Sequence, residues 1–233
     1  MGPKKWEDLP EFLKNDEVKK YYDILKKKKV SLLFKRFFDI FFSLIILIIL
    51  SPFFLILAIA IKLDSKGPVF YRQERITTNG KSFRIFKFRT MVQNADKIGA
   101  LVTVGNDSRI TRVGKFIRKI RLDEIPQLLN VFKGEMSFVG TRPEVKKYVE
   151  KYTNEMKATL LMPAGITSVA SIKYKDEDEI LEEAVRSGKS TDLAYIEDVL
   201  PEKMKYNLEY ITKFSFWYDI KVCIQTVIGV LRW

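Results

Sequence analysis

The sequence predicts an α+β fold in which a broken hydrophobic helix is followed by a small domain built around a short β-hairpin. Three observations predict it. Ile40 to Ile61 form a run of 22 positions without a formal charge, Ser51-Pro52 interrupts that run near its middle, and two strand-like segments flank Thr78-Asn79-Gly80-Lys81. With 233 residues, 47% of them hydrophobic, the chain has room for one domain of ordinary size plus an appendage, and global disorder is excluded.

The N-terminal segment, residues 1–34, is polar and basic. "DEVKKYYDILKKKK" is helical in pattern, with Tyr21, Tyr22, Ile24 and Leu25 interleaved among lysines. It reads as an amphipathic helix on an anionic membrane surface, or as a plain solvated helix.

Residues 35–62 hold the apolar run. As a straight helix its 22 residues would be about 33 Å long, enough to cross the hydrocarbon core of a bilayer. A signal peptide does not fit, because the run starts late, is long and lacks a small-residue cleavage pattern. Pro52 removes one backbone donor and bends a helix, and Ser51 offers a hydroxyl to a carbonyl left free by the break. Basic residues stand on both sides: Lys26 to Lys29, Lys35 and Arg36 before, Lys62, Lys66, Arg72 and Arg75 after. Positive charge marks the cytoplasmic side, so a hairpin-like helix entering and leaving by one face satisfies both flanks, while a kinked spanning helix satisfies one. Asp39 at the mouth of the run reads either as a local ion pair with Arg36 or as an interfacial residue in water.

Residues 63–233 form the remaining domain. Val69-Phe70-Tyr71 and Phe83 to Arg89 read as strands joined by the Asn-Gly turn. The second mixes apolar and basic residues, so one face is expected to be apolar and the other to carry Arg84, Lys87 and Arg89, a surface suited to phosphate; the plain alternative is a half-exposed strand. Two short helices follow. Val113, Phe116, Ile117 and Ile120 in the first, and Ile125, Leu128, Leu129 and Phe132 in the second, fall at helical spacing and are expected to face the core. Pro126 fits only a first turn, so the second helix should begin near Leu122 to Ile125 with Asp123 and Glu124 at its start.

Inside a helix, neighbouring side chains diverge by about 100° and do not converge on one ligand. At a helix start the backbone is not yet regular and both carboxylates can address one site, where free N–H groups also attract phosphate. Capping by an acidic residue is the competing explanation for the pair.

Farther on, "LMPAGITSVASIKY" reads as a turn and a strand, and "DEDEILEEA" as an acidic helix with a solvated face. The closing "FSFWYDIKVCIQTVIGVLRW" places Phe214, Trp217, Tyr218 and Trp233 as an aromatic belt on a helix that Asp219, Lys221 and Gln225 make amphipathic, lying in the membrane interface.

Composition narrows the chemistry. There is no histidine, which excludes Ser-His-Asp and Cys-His arrangements and argues against zinc. A single cysteine, Cys223, excludes an internal disulfide and reads as packing. With 41 Lys and Arg against 29 Asp and Glu, a net charge of +12, the chain should seek anions: nucleic acid, an anionic membrane or phosphorylated small molecules.

From Lys35 onward the order of segments resembles the bacterial sugar transferases, the monotopic phosphoglycosyl transferases. The resemblance rests on "KRFFD", a run broken by "SP", "GPVFYRQER", "FRIFKFRTM", "SRITRVGKFIRK", "LDEIPQLLNVFKGEMSFVGTRP", "PAGIT" and "DIKVCIQTV". It implies a re-entrant membrane helix broken at Ser51-Pro52, and a small catalytic domain with interfacial amphipathic helices on the cytoplasmic face of the bacterial inner membrane. The implied reaction passes sugar-1-phosphate from a UDP-sugar to a membrane polyprenyl phosphate such as undecaprenyl phosphate, the first membrane step of glycoconjugate assembly. It further implies Mg²⁺, an aspartyl-phosphosugar intermediate on Asp123, and Glu124 holding the metal with Asp123 or assisting proton transfer. Arg118, Arg142 and Pro143 fall on basic and proline positions of the family motifs, and Lys87 and Arg89 are further candidates for the diphosphate. A carboxylate nucleophile accords with the lack of histidine.

Two departures stand out. Thr141-Arg142-Pro143 replaces the usual Pro-Arg-Pro, and Pro163-Ala164-Gly165-Ile166-Thr167 with "SVASIKY" replaces a more common stretch, leaving the sugar open. A membrane-tethered nucleic-acid module is disfavoured because the aromatics lie in apolar runs rather than in a basic stripe, so no nucleic acid partner is expected. A non-catalytic scaffold would need the Asp–Glu pair to be only a cap. A homo-oligomer is left open.

Overall fold

The structure is a computed structural model describing residues 4–95, 107–174 and 177–231; Trp233, assigned above to the aromatic belt, lies outside them. It is a mixed fold of helices and two small two-stranded sheets.

After two 3₁₀ turns, Trp6–Asp8 and Glu11–Leu13, helix α1 (Asp16–Lys26) starts where the Asn15 side chain accepts from Val18 N at 3.0 Å. Asp16 and Glu17 in its first turn and Lys26 in its last complement the helix dipole. Its apolar side, Val18, Tyr22 and Leu25, is buried in the main core of the protein. Tyr21 donates to Glu155 at 2.7 Å and Lys28 to the carbonyl of Thr212 at 2.8 Å. Phe12 reaches the hairpin turn: a Cβ on Gly80, whose φ is +73°, would stand 2.5 Å from the Phe12 ring. The N-terminal segment is therefore a strap whose apolar face is spent on the domain itself and is not turned towards a membrane.

Helix α2 (Lys29–Asp64) runs through Pro52 as one helical element and is long and apolar enough to cross a membrane. Pro52 cannot donate to the Ile48 carbonyl, and the Ser51 hydroxyl takes that acceptor at 2.8 Å. The middle of α2, including Ile48, Ile49, Leu55, Ile56 and Ile59, is exposed, whereas both ends are tied to the rest of the chain. Near the start, Lys35 bonds Asp219 and the Val139 carbonyl, and Arg36 donates to the carbonyls of Val131 (2.7 Å) and Phe132 (2.9 Å). Asp39 is buried and accepts from Ser137 Oγ and Phe138 N at 3.0 Å each; it stands neither in water nor in the expected pair with Arg36. Near the end, Leu57 and Ile61 pack with Phe88 and Ile117, and Asp64 accepts from Val113 N at 2.9 Å.

Strands β1 (Phe70–Ile76) and β2 (Ser82–Phe88) form the antiparallel hairpin, with Tyr71 opposite Lys87 and Arg75 opposite Phe83. A left-handed Asn79 (φ 59°) makes the turn. Helix α3 (Arg112–Lys119) buries Ile117 against α2, but Phe116 and Ile120 are exposed. A 3₁₀ turn, Leu122–Gln127, leads into α4 (Leu128–Lys133), which ends at a left-handed Gly134. Here Leu128 and Val131 are buried while Phe132 is exposed.

Strand β3 (Met136–Val139) and β4 (Ala164–Thr167) pair in parallel, with α5 (Lys146–Val149) between them. Gly140 and Gly165 permit the crossing: a Cβ on either would come within 2.2 Å of backbone atoms, Pro163 O for Gly140 and Gly140 N for Gly165. "SVASIK" is helical, not extended; Ser168 caps α6 (Val169–Lys173) by accepting from Ser171 N at 3.0 Å. The chain continues through α7 (Glu177–Arg186), α8 (Thr191–Ala194), a π turn (Tyr195–Val199), α9 (Leu200–Lys213) and α10 (Phe216–Leu231). Phe214 is fully buried and so belongs to the core, while Trp217, Ile224, Val227 and Ile228 on α10 are exposed.

Candidate active site

The site is assembled where the 3₁₀ turn after α3 meets β2. Arg121 has a left-handed backbone (φ 58°), a conformation that costs a non-glycine residue about 1–3 kcal/mol and clusters at functional sites. It turns the chain from α3 into Leu122–Gln127, with Asp123 and Glu124 in the first turn.

Asn130 then locks this segment to β2. It is fully buried, accepts from Phe86 N at 2.8 Å and donates to the Arg84 carbonyl at 3.0 Å, standing in for a neighbouring strand. This brings Lys87 to Glu124, with Nζ 2.8 Å from Oε1.

Lys87, Glu124, Arg142 and Pro143 line one polar cleft together with Arg75, Ile85, Gln127, Gly165, Ile166 and Ser171. Arg142 is exposed at the rim and its NH1 lies 3.3 Å from Ser171 Oγ. Arg75 donates to the Pro143 carbonyl at 3.2 Å and to Gln73 at 2.6 Å.

The two carboxylates differ. Burial pushes Asp123 above the ordinary aspartate range, as does the Glu124 charge beside it, against the pull of Lys87, Arg118 and Arg121. Glu124 feels the same burial, but Lys87 and Arg142 outweigh it and hold the group at about 2. One carboxylate is thus firmly ionised in an ion pair and the other is the more basic. Both acids stand in the first turn, where their charge complements the helix dipole, and the side chain of Glu124 is engaged by Lys87.

The remaining candidates lie elsewhere. Arg118, in the last turn of α3, is half-buried and near enough for its charge to favour ionised Asp123. Arg84, Lys87 and Arg89 do not share a face, because a strand alternates with period two and puts Arg84 opposite the other two. Arg84 is exposed; Arg89 is buried, and its guanidinium donates to the carbonyl (2.6 Å) and hydroxyl (2.9 Å) of Ser65 at the end of α2. Arg89 thus anchors α2 and stands outside the cleft. Ser51 and Pro52 lie midway along α2, likewise outside the cleft lining.

Sequence reasoning missed Arg75, Asn130, Gln127 and Ser171. Arg75 had a usable signal, since it sits on the hairpin strand facing the predicted basic one; the others depend on contacts far apart in sequence. Among the described residues no group of three or more His, Cys, Asp or Glu side chains is gathered as a metal cage.

A family-wide sequence profile described as "Bacterial sugar transferase" matches residues 30–233. A UDP-glucose:undecaprenyl-phosphate glucose-1-phosphate transferase of Klebsiella pneumoniae is 37% identical over 204 residues, covering 85% of this chain and 40% of the relative. A UDP-N-acetylgalactosamine-undecaprenyl-phosphate N-acetylgalactosaminephosphotransferase of Aeromonas hydrophila is 36% identical over 84% of this chain and 43% of its own length. A UDP-glucose:undecaprenyl-phosphate glucose-1-phosphate transferase of Caulobacter vibrioides is 32% identical over 84% of this chain and 69% of its own length. The chain therefore spans less than half the length of the first two of these relatives.

Proposed function

The chain belongs to the bacterial sugar transferase family, and from that premise we propose that it transfers sugar-1-phosphate from a UDP-sugar to a membrane polyprenyl phosphate, releasing UMP. The observation that carries this reading is a firmly ionised Glu124 lining a cleft with Lys87, Arg75 and Arg142, with the more basic, half-buried Asp123 next to it in the chain and outside the cleft lining.

In the proposed mechanism the cationic side chains receive the diphosphate, neutralising charge that otherwise repels a carboxylate. Asp123 attacks the β-phosphorus. One Asp123 Oδ–P bond forms, the bridging P–O bond breaks, and UMP leaves with its electron pair. An oxygen of the polyprenyl phosphate then attacks the same phosphorus, and the carboxylate of Asp123 is expelled unchanged. An elevated Asp123 pKa makes its carboxylate more basic and so suits the nucleophilic step. Glu124, at about 2, suits charge placement rather than proton transfer.

Asp123 and Glu124 would hold Mg²⁺ together with substrate phosphates. Two hard carboxylates, with no cluster of three His, Cys, Asp or Glu among the described residues, match the way magnesium is bound at phosphoryl-transfer sites through one or two carboxylates. When bound, the ion would supply further neutralisation of the diphosphate.

The ties of α2 support a reading of its membrane topology. Lys35, Arg36 and Asp39 at one end and Leu57, Ile61 and Asp64 at the other contact the same domain. A spanning helix would separate those contacts by the bilayer, so this supports a re-entrant helix with the domain on the cytoplasmic face of the inner membrane. The exposed apolar residues of α10 and α3 would rest in the same interface.

The test is UMP release from a panel of UDP-sugars with polyprenyl phosphate and Mg²⁺, comparing wild type with Asp123→Asn. Turnover by wild type with at least one donor, abolished in the variant, supports the assignment. Incubation with donor alone should add the phosphosugar mass to the peptide carrying Asp123; product formation without that adduct, or with it elsewhere, sinks the covalent route.

A further inference from the structure

Behind the cleft lies a buried polar chain that the transfer steps do not use. Lys203 on α9 is 1% exposed and donates to Glu177 Oε1 at 2.8 Å and to Tyr195 Oη at 3.1 Å. Tyr195 opens the π turn and donates to Glu144 Oε1 at 2.7 Å. Glu144, 3% exposed, stands two residues beyond Arg142. Four separate elements thus meet: α9, the π turn, the start of α7 and the loop that carries the arginine.

Packing alone does not account for this arrangement. A buried lysine–carboxylate pair is on balance no more stabilising than apolar side chains of equal volume, and π turns are rare and mark functional sites. The network does act on the cleft. It holds the loop that carries Arg142 at Glu144, whose carboxylate accepts from Tyr195 and whose carbonyl accepts from Ile76 N at 3.0 Å, and the charges of Glu144 and Glu177 favour the guanidinium. Arg75, which feels Glu144, bonds the Pro143 carbonyl between them.

We infer that Lys203 and Tyr195 are positioning residues for Arg142: through Glu144 they fix the loop that carries the guanidinium at the rim of the cleft, where it meets the diphosphate of the nucleotide sugar. For the identity of that anion, the inference rests on the proposed function. Neither Lys203 nor Tyr195 touches the substrate or the reacting atoms.

Two variants test it in the full-length protein. Tyr195→Phe removes one hydroxyl and keeps the ring that stacks on Tyr148 at 4.4 Å. Lys203→Met/Glu177→Gln removes the ion pair without stranding either charge. The first readout needs no turnover: the rate of phenylglyoxal modification of Arg142, mapped by mass spectrometry, with exposed Arg186 as internal reference. It is expected to change about threefold or more in both variants while Arg186 stays constant. The second readout is kinetic: KM for the UDP-sugar should rise about three- to tenfold, the size of one lost hydrogen bond, with KM for polyprenyl phosphate within about twofold. A lowered Tm with unchanged Arg142 reactivity and unchanged KM assigns the network a structural role and overturns the inference. If wild type releases no UMP from any donor while Arg142 reactivity still responds, the positioning stands and the substrate reading falls.

Discussion

Lys87 of β2 and Glu124 of the following 3₁₀ turn form a 2.8 Å ion pair, and that pair orients the Asp–Glu dyad. The lysine is also the strongest favourable charge acting on Asp123. One cation therefore pairs with Glu124 directly and favours the ionised form of Asp123 beside it.

Replacing it should be severe. Lys87→Met strands the Glu124 charge and removes a donor to the diphosphate, so kcat/KM is expected to fall about 10²-fold or more. Asp123 loses its main stabilising charge, so the acid limb of the pH–rate profile should move to higher pH. An unchanged acid limb would separate Lys87 from the dyad.

In the wild type, a nucleophilic Asp123 must be ionised. Its raised pKa predicts that activity is lost, as pH falls, at a value above the roughly 3.9 of an ordinary aspartate. A pH–rate profile whose acid limb lies at or below that value would contradict the burial argument.

Stability should show the opposite sign at Glu124. Its folded pKa is depressed to about 2 from 4.5, so its contribution is fully present above 4.5 and is lost as pH falls towards 2. Denaturant unfolding of wild type and Glu124→Gln should differ near neutrality and converge through that window.

The N-terminal strap should matter to stability. Leu25 is fully buried, and Leu25→Ala is expected to cost about 2–5 kcal/mol in unfolding free energy. Were α1 instead lying on lipid, the same change would leave unfolding almost untouched and weaken vesicle binding.

Topology can be read by labelling. In a Cys223→Ser background, Val30→Cys and Lys66→Cys should react with an impermeant maleimide from the same side of the membrane. Reaction from opposite sides would defeat the re-entrant reading.

Much of this was legible in the sequence because it is local. The Asn-Gly hairpin, the Ser51 hydroxyl answering Pro52, and the placement of Asp123 and Glu124 in a first turn each follow from a few consecutive residues. Phe116, Ile120 and Phe132 misled because helical spacing of apolar residues looks the same whether the face meets a protein core or lies exposed. Arg89 misled because charge on a strand was read without enforcing its period of two. Asn130 and the Lys203–Tyr195–Glu144 chain were invisible, since their bonds to β2, from Tyr195 to Glu144 and from Lys203 to Glu177 join groups 26 to 51 positions apart.

The ties at both ends of α2 have a further consequence for the setting in which the enzyme works. Arg36 is fastened to Val131, and Asp64 to Val113, so the loop of helix left free has a length dictated by the protein. On the re-entrant topology proposed above, insertion depth would then be independent of hydrophobic mismatch, which ordinarily tilts or sorts a spanning helix. On that reading, in lipids of short or long acyl chains the height of the cleft above the headgroups would stay constant, and the phosphate of the proposed acceptor would meet the dyad at the same level.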